Sequence, residues 1–166
     1  SNTDALRPEA TEVQTVTYTV TVVDSGGNKY RFNGGSSNAE TLELTEGTVY
    51  LFDQSDSSNS GHPLRFSTTS NGTHGGGTEY TTGVTTFGTP GSAGAYTRIK
   101  VATDAPTLYY YCTNHSGMGG QANTPAATAT ASTSGTQAKY RYESPPQVVQ
   151  VRPGVSTVTI NLIGVL

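Results

Sequence analysis

From Thr15 the chain reads TVTYTVTV, with Val16, Tyr18, Val20 and Val22 alternating against Thr15, Thr17, Thr19 and Thr21. A period of two with β-branched residues predicts a strand with one buried face, because successive side chains leave opposite sides of the pleat. The pattern returns in AYTRIKV, where Tyr96, Arg98 and Lys100 oppose Thr97, Ile99 and Val101. It returns again in PTLYYYC, which sets Leu108, Tyr110 and Cys112 on one face and Tyr109 and Tyr111 on the other. Shorter candidates, KYRF, TLELTEG, TVYLFD, PLRFS and a weak TEYTTGV, lie between turn-rich stretches such as SGGN (25–28) and NGGSSN (33–38). About seven or eight strands with turns every eight to twelve residues predict an all-β sandwich or barrel. No segment carries the period of an ordinary helix, and no internal repeat is visible.

The chain has 166 residues, of which 13% are charged and 33% hydrophobic, enough for one sizeable core. Residues 1–12 read as an N-terminal extension and 13–120 as the sandwich domain. Residues 121–146, which include QANTPAATATASTSGT, read as a low-complexity linker or loop with too little apolar surface to offset its ordering entropy. Residues 147–166 return to strand character, with Val158, Ile160 and Leu162 on one face. Such an additional C-terminal strand segment is suited to pairing with a second copy or with another protein by strand addition.

A net charge of −3 without any Lys/Arg cluster lacks the electrostatic footprint of a nucleic-acid binder. No apolar run approaches the ~20 residues of a membrane span, and the first ten residues resemble no signal peptide. One cysteine closes no intrachain disulfide, so Cys112 is either an inert buried thiol or chemically employed.

The segment YYYCTNHSGMGG (109–120) answers part of that question. It places the single Cys, one of three His and the single Met at 112, 115 and 118. Thiolate, imidazole and thioether form a soft to borderline donor set, which suits copper better than calcium or magnesium. Two imidazoles and a thiolate in a plane, with a distant axial Met, is the electron-transfer copper arrangement, and it requires a second His from elsewhere. His62, in SGHPLRFS at a loop-to-strand junction, is the candidate; His74, in NGTHGGG, reads as a solvated loop residue. A strand end fixes Cys112, and two short steps past flexible Gly117 can bring His115 and Met118 to the same centre.

His62 ahead of a strand, followed by Tyr-x-Cys at a strand end and Cys112-x-x-His115-x-x-Met118, resembles the cupredoxin family of type 1 copper proteins over residues 13–120. The spacing is similar to the short ligand loop of amicyanin. The resemblance implies a Greek-key β-sandwich and one mononuclear copper site with His62, Cys112, His115 and Met118 as ligands. One departure is Pro63: many family members carry Asn there and donate its backbone N–H to the Cys sulfur, whereas proline has no N–H.

SSNSGHPLRFS, GTHGGGTEYTTGV, GTPGSAGAYT and LYYYCTNHSGMGG also resemble cupredoxin-like segments of structural proteins of marine bacteriophages, notably those infecting cyanobacteria. This implies a non-enzymatic copper module at a virion surface, as a decoration, fibre or tail component. A soluble electron carrier, periplasmic or lumenal after signal removal and docking to a redox protein, is the alternative. A copper-free structural or adhesive sandwich is a third. Multicopper oxidase chemistry needs more histidines than the one left over. The oxygen-rich DQSDSSNSG (53–61) resembles a calcium loop, but Leu64 stands where the bidentate carboxylate belongs. The sequons at Asn71 and Asn114 read as chance matches.

Overall fold

The computed structural model describes residues 13–128. The extension 1–12, the tract from residue 129 and the expected C-terminal strand at 147–166 lie outside the described residues.

Among the described residues nine strands form two sheets. They are β1 (Thr15–Asp24), β2 (Asn28–Phe32), β3 (Leu42–Glu43), β4 (Val49–Asp53), β5 (Leu64–Ser67), β6 (Val84–Phe87), β7 (Tyr96–Lys100), β8 (Leu108–Cys112) and β9 (Gln121–Asn123). One sheet has the order β2-β1-β4-β7-β6, the other β3-β9-β8-β5. Both are mixed, since β1 runs parallel to β4 and β3 parallel to β9 while the other pairings are antiparallel. The described residues are therefore all-β as expected, with only two 3-10 turns, Ser57–Asn59 and Gly72–Gly75, as helical elements among them. No helix among them is long and apolar enough to cross a membrane.

The alternation in β1 is realised, with Thr15, Thr17 and Thr19 exposed and Val20 buried. Val20, Phe32, Phe52 and Ile99 from one sheet meet Leu64, Phe66, Leu108, Tyr110 and Ala122 from the other in a single core. Phe32 is the hub of its aromatic part, edge-on to Phe52 at 5.8 Å and to Tyr110 at 5.2 Å. Burial of that apolar area is the main stabilising term of such a sandwich.

The strand pairing differs from the sequence reading at three places. TLELTEG keeps only Leu42–Glu43 as strand, although its course alongside β9 continues in the bonds from Leu44 N–H to Asn123 O and from Glu46 N–H to Pro125 O. In TEYTTGV only a single bridge, Ser67 to Glu79, forms before β6 starts at Val84. Past Gly120, where the linker was expected, Gln121–Asn123 forms β9 between β3 and β8. Its propensity is poor, but Ala122 is small enough to be fully enclosed there, so pairing overrides composition.

The last residues of β8 and the first of β5 lie side by side, with Cys112 opposite Leu64. That register sets the Cys112 end of β8 beside the loop that carries His62.

Candidate metal centre

Three potential ligand atoms converge at this end of the sandwich. Cys112 Sγ lies 3.8 Å from His62 Nδ1 and 3.7 Å from His115 Nδ1. The ligand atoms of the three residues all fall within 4.8 Å of one another, and the two imidazole centroids are 4.5 Å apart with the rings tilted by 46°. Nitrogen and sulfur donors at ~2.0 and ~2.3 Å from a common ion, and about 120° apart, stand ~3.7 Å from each other. The spacing therefore fits a shared ion, and both rings aim the same nitrogen at the sulfur. Three of the four sequence-predicted ligands are brought together as a cluster able to hold a metal.

Met118, the fourth, is buried in the same core cluster as Cys112. Its placement is fixed by the backbone: Tyr30 N–H donates to Met118 O at 3.0 Å. The two glycines flanking it have different tasks. Gly117 takes φ +73, a left-handed conformation that lets the loop reverse. A Cβ on Gly119 would sit 1.8 Å from Tyr110 O, so the loop can close against β8 only without a side chain there.

Each candidate ligand is held in its own way by the chain. Cys112 is the last residue of β8 and fully buried. His62 follows the 3-10 turn Ser57–Asn59, which Asp56 caps by accepting from Ser58 N–H at 2.9 Å. Its own N–H donates to Asn59 O at 2.8 Å. The ring is partly buried, and burial first, then the nearby His115, lowers its pKa from 6.5, which favours the neutral, ligating form. His115 is exposed. It is therefore the one candidate ligand of the three that faces solvent freely.

The stretch 53–61, which resembles a calcium loop in sequence, holds the polar core of the site. Gln54 and Asn59 are fully buried. Gln54 Nε2 donates to Asn59 Oδ1 (3.1 Å) and His62 O (2.8 Å), while Gln54 Oε1 accepts Leu64 N–H at 3.0 Å. Asn59 Nδ2 in turn donates to Val20 O at 2.7 Å. Within the oxygen-rich stretch Asp53 accepts from Ser55 N–H and Asp56 from the Ser58 hydroxyl.

Loop residues that the sequence left without a role hold the 113–118 segment. Asn71 donates Nδ2–H to Ser116 Oγ and accepts Gly117 N–H on Oδ1, both at 2.8 Å. His74, expected to be merely solvated, places Nε2 3.0 Å from Cys112 O. Asn114 Nδ2 donates to Gly61 O at 2.9 Å and Thr113 N–H to Pro63 O at 3.1 Å, tying the two ligand loops together. Both sequon asparagines thus use their amides inside the structure. From β2, Lys29 Nζ donates to Gly117 O and the Tyr30 hydroxyl to His62 O at 2.8 Å. Burial, and next to it the neighbouring Cys112, holds the Tyr30 phenol well above its ordinary pKa.

Comparison with known protein families, curated proteins and solved structures finds no match to this chain.

Proposed function

We propose that the chain is a non-enzymatic, mononuclear copper-binding module with a type 1-like site on a cupredoxin-like Greek-key sandwich. The observation that carries this reading is the convergence of His62 Nδ1, Cys112 Sγ and His115 Nδ1 at separations suited to one ion. Two imidazoles and a thiolate beside a buried thioether are a donor set for copper in electron transfer, whereas structural zinc usually closes four strong Cys or His ligands. Met118 is assigned as the weak axial ligand on the strength of its burial in the same core cluster as Cys112 and its place in the loop after His115.

Copper held there would supply one-electron chemistry. The residues' part is to keep the ligand geometry constant. The clamps from Asn71, Asn114, Lys29 and Tyr30 hold the ligand loops whatever the charge at the centre, and the buried face of the site keeps water from the sulfur.

The setting we propose is a virion structural or surface protein, supported by the resemblance of four sequence phrases to phage structural proteins. In that setting residues 147–166 join copies or scaffold proteins by strand addition. Size-exclusion chromatography of the full chain beside one ending at Gly135 tests it, and an unchanged oligomeric state would count against assembly through this segment. A freely diffusing electron carrier is the second reading, favoured by the exposure of His115 against the burial of Cys112. It requires a monomer.

Titration with Cu(II), followed by absorption spectroscopy, tests the copper site itself. An intense visible thiolate-to-copper band is expected, absent in Cys112→Ser and displaced or lost in His62→Ala and His115→Ala. A wild-type chain that binds no copper, or whose band survives the serine substitution, refutes the reading.

A further inference from the structure

Strand β2 approaches His62 twice. Asn28 and Tyr30, two residues apart, lie on one face of the strand. Tyr30 bonds to the backbone carbonyl of His62, and the Asn28 amide lies 3.4 Å from His62 Nε2 through its Nδ2. Both residues are at least partly buried. The ring is therefore contacted at each of its two nitrogens, Nδ1 facing Cys112 Sγ and Nε2 facing Asn28.

This double contact has a chemical requirement. A neutral imidazole carries one proton, so if Nδ1 is to offer its lone pair to an ion, Nε2 must carry the hydrogen and needs an acceptor. An amide offers an acceptor or a donor at the same place, depending on a half-turn of its terminal torsion that hardly changes its shape. With Nδ2 toward the ring, the hydrogen is forced onto Nδ1 and points at the sulfur. With Oδ1 toward the ring, it sits on Nε2 and Nδ1 is free.

We propose that Asn28 is a positioning residue of the metal centre: its side-chain carbonyl accepts the Nε2–H of His62 and fixes the tautomer in which Nδ1 faces the ion. The assignment rests on the reading of this cluster as a metal site, and it extends that reading to a residue that lies in a turn by sequence. Asn28 does not ligate. It acts through the ring, as outer partners of metal-binding histidines do in general. Strand β2 thereby serves the site at three consecutive positions, Asn28 on the ring, Lys29 on Gly117 O and Tyr30 on both His62 O and Met118 O.

The test compares wild type with Asn28→Ala and Asn28→Asp. Long-range proton–nitrogen NMR of the metal-free chain, above the pH at which the imidazoles are charged, reads the His62 tautomer directly. Wild type and Asn28→Asp are expected to show Nε2–H, and Asn28→Ala a mixture. With Cu(II), Asn28→Ala should weaken binding about 10- to 100-fold. Asn28→Asp, whose carboxylate accepts the same hydrogen, should restore binding and move the reduction potential below that of wild type. An Nδ1–H tautomer in the wild type, or equal affinity in all three chains, overturns the inference. An Nε2–H tautomer in a chain with no thiolate–copper band would instead refute the copper reading and leave the role of Asn28 in setting the ring intact.

Discussion

Asn71 Oδ1 accepts the N–H of Gly117 across 46 residues of sequence, at 2.8 Å. The same side chain reaches Ser116 Oγ with its Nδ2, so one amide spans the turn between His115 and Met118. Asn71 does so from a left-handed conformation, φ 61 and ψ 14. Two effects can thus be separated by mutation. Asn71→Gly removes both bonds and keeps the backbone permissible, at about 1–3 kcal/mol of stability. Asn71→Ala adds the left-handed penalty of about 1–2 kcal/mol. Metal affinity should fall by the same factor, about tenfold, in both, because only the bonds hold the ligand loop. Denaturant unfolding and copper titration of the two variants check this; an alanine variant that loses much more affinity than the glycine variant would mean that backbone conformation, not the amide, sets the loop.

Gln54 is the second residue whose removal should cost more than its size suggests. It is fully buried and serves Leu64 N–H, Asn59 Oδ1 and His62 O at once. Gln54→Met preserves length and adds apolar surface, yet it strands the Leu64 donor in the core and leaves Asn59 Oδ1 without that bond. His62 O keeps the Tyr30 hydroxyl. The expected loss is about 2–5 kcal/mol, read as a lower urea midpoint at unchanged slope. Gln54→Glu keeps an acceptor for Leu64 N–H but offers oxygen where Nε2 donated. An unaltered midpoint in Gln54→Met would show that water satisfies these groups.

The cluster able to hold a metal was legible because its residue types are scarce: one Cys and three His leave few ways to assemble such a donor set. The strands were legible where period two is long, as in β1, β7 and β8. What escaped was the support. Asn28, Gln54, Asn59 and Asn71 look in sequence like any turn or loop polar residue, and their partners are set by cross-chain geometry that no local pattern encodes. His74 escaped for the same reason, its contact to Cys112 O depending on how the 3-10 turn at Gly72–Gly75 lies against β8. Strand β9 escaped because Gln121–Asn123 has no alternation of its own and is a strand only by virtue of its neighbours.

Buried tyrosines give the fold an alkaline limit. Tyr18, Tyr30, Tyr110 and Tyr111 all have pKa values raised above 10.0, each chiefly by burial, with Tyr50 adding for Tyr18, Cys112 for Tyr30 and Glu40 for Tyr110. A folded value above the unfolded one means that the unfolded chain loses its protons first. The stabilisation is therefore complete below about pH 10 and is lost as pH rises from there toward the folded values. Ultraviolet titration should show a delayed group of tyrosines ionising only together with loss of the folded circular dichroism signal. Tyr110→Phe should raise the pH at which that cooperative step occurs, relative to its own stability at neutral pH. Smooth ionisation of all ten tyrosines without unfolding would contradict the burial argument.

Metal binding should be visible as thermal stability. The three candidate ligands come from two stretches of chain, 50 residues apart at Cys112 and His62, so an ion bound only by the folded chain would shift the folding equilibrium by mass action. With free copper at a thousandfold its dissociation constant the gain is about 4 kcal/mol, a rise in Tm on the order of 10 °C for a domain of this size. His115→Ala removes a ligand at an exposed position and should abolish most of that rise with little change in the metal-free Tm. Met118→Leu should behave differently. It fills the same buried space and costs less than about 1.5 kcal/mol without metal, while most of the copper-induced rise persists because a weak axial ligand adds little to affinity. Calorimetry of the three chains with and without copper separates these cases, and a rise that survives His115→Ala would place the bound ion elsewhere on the molecule.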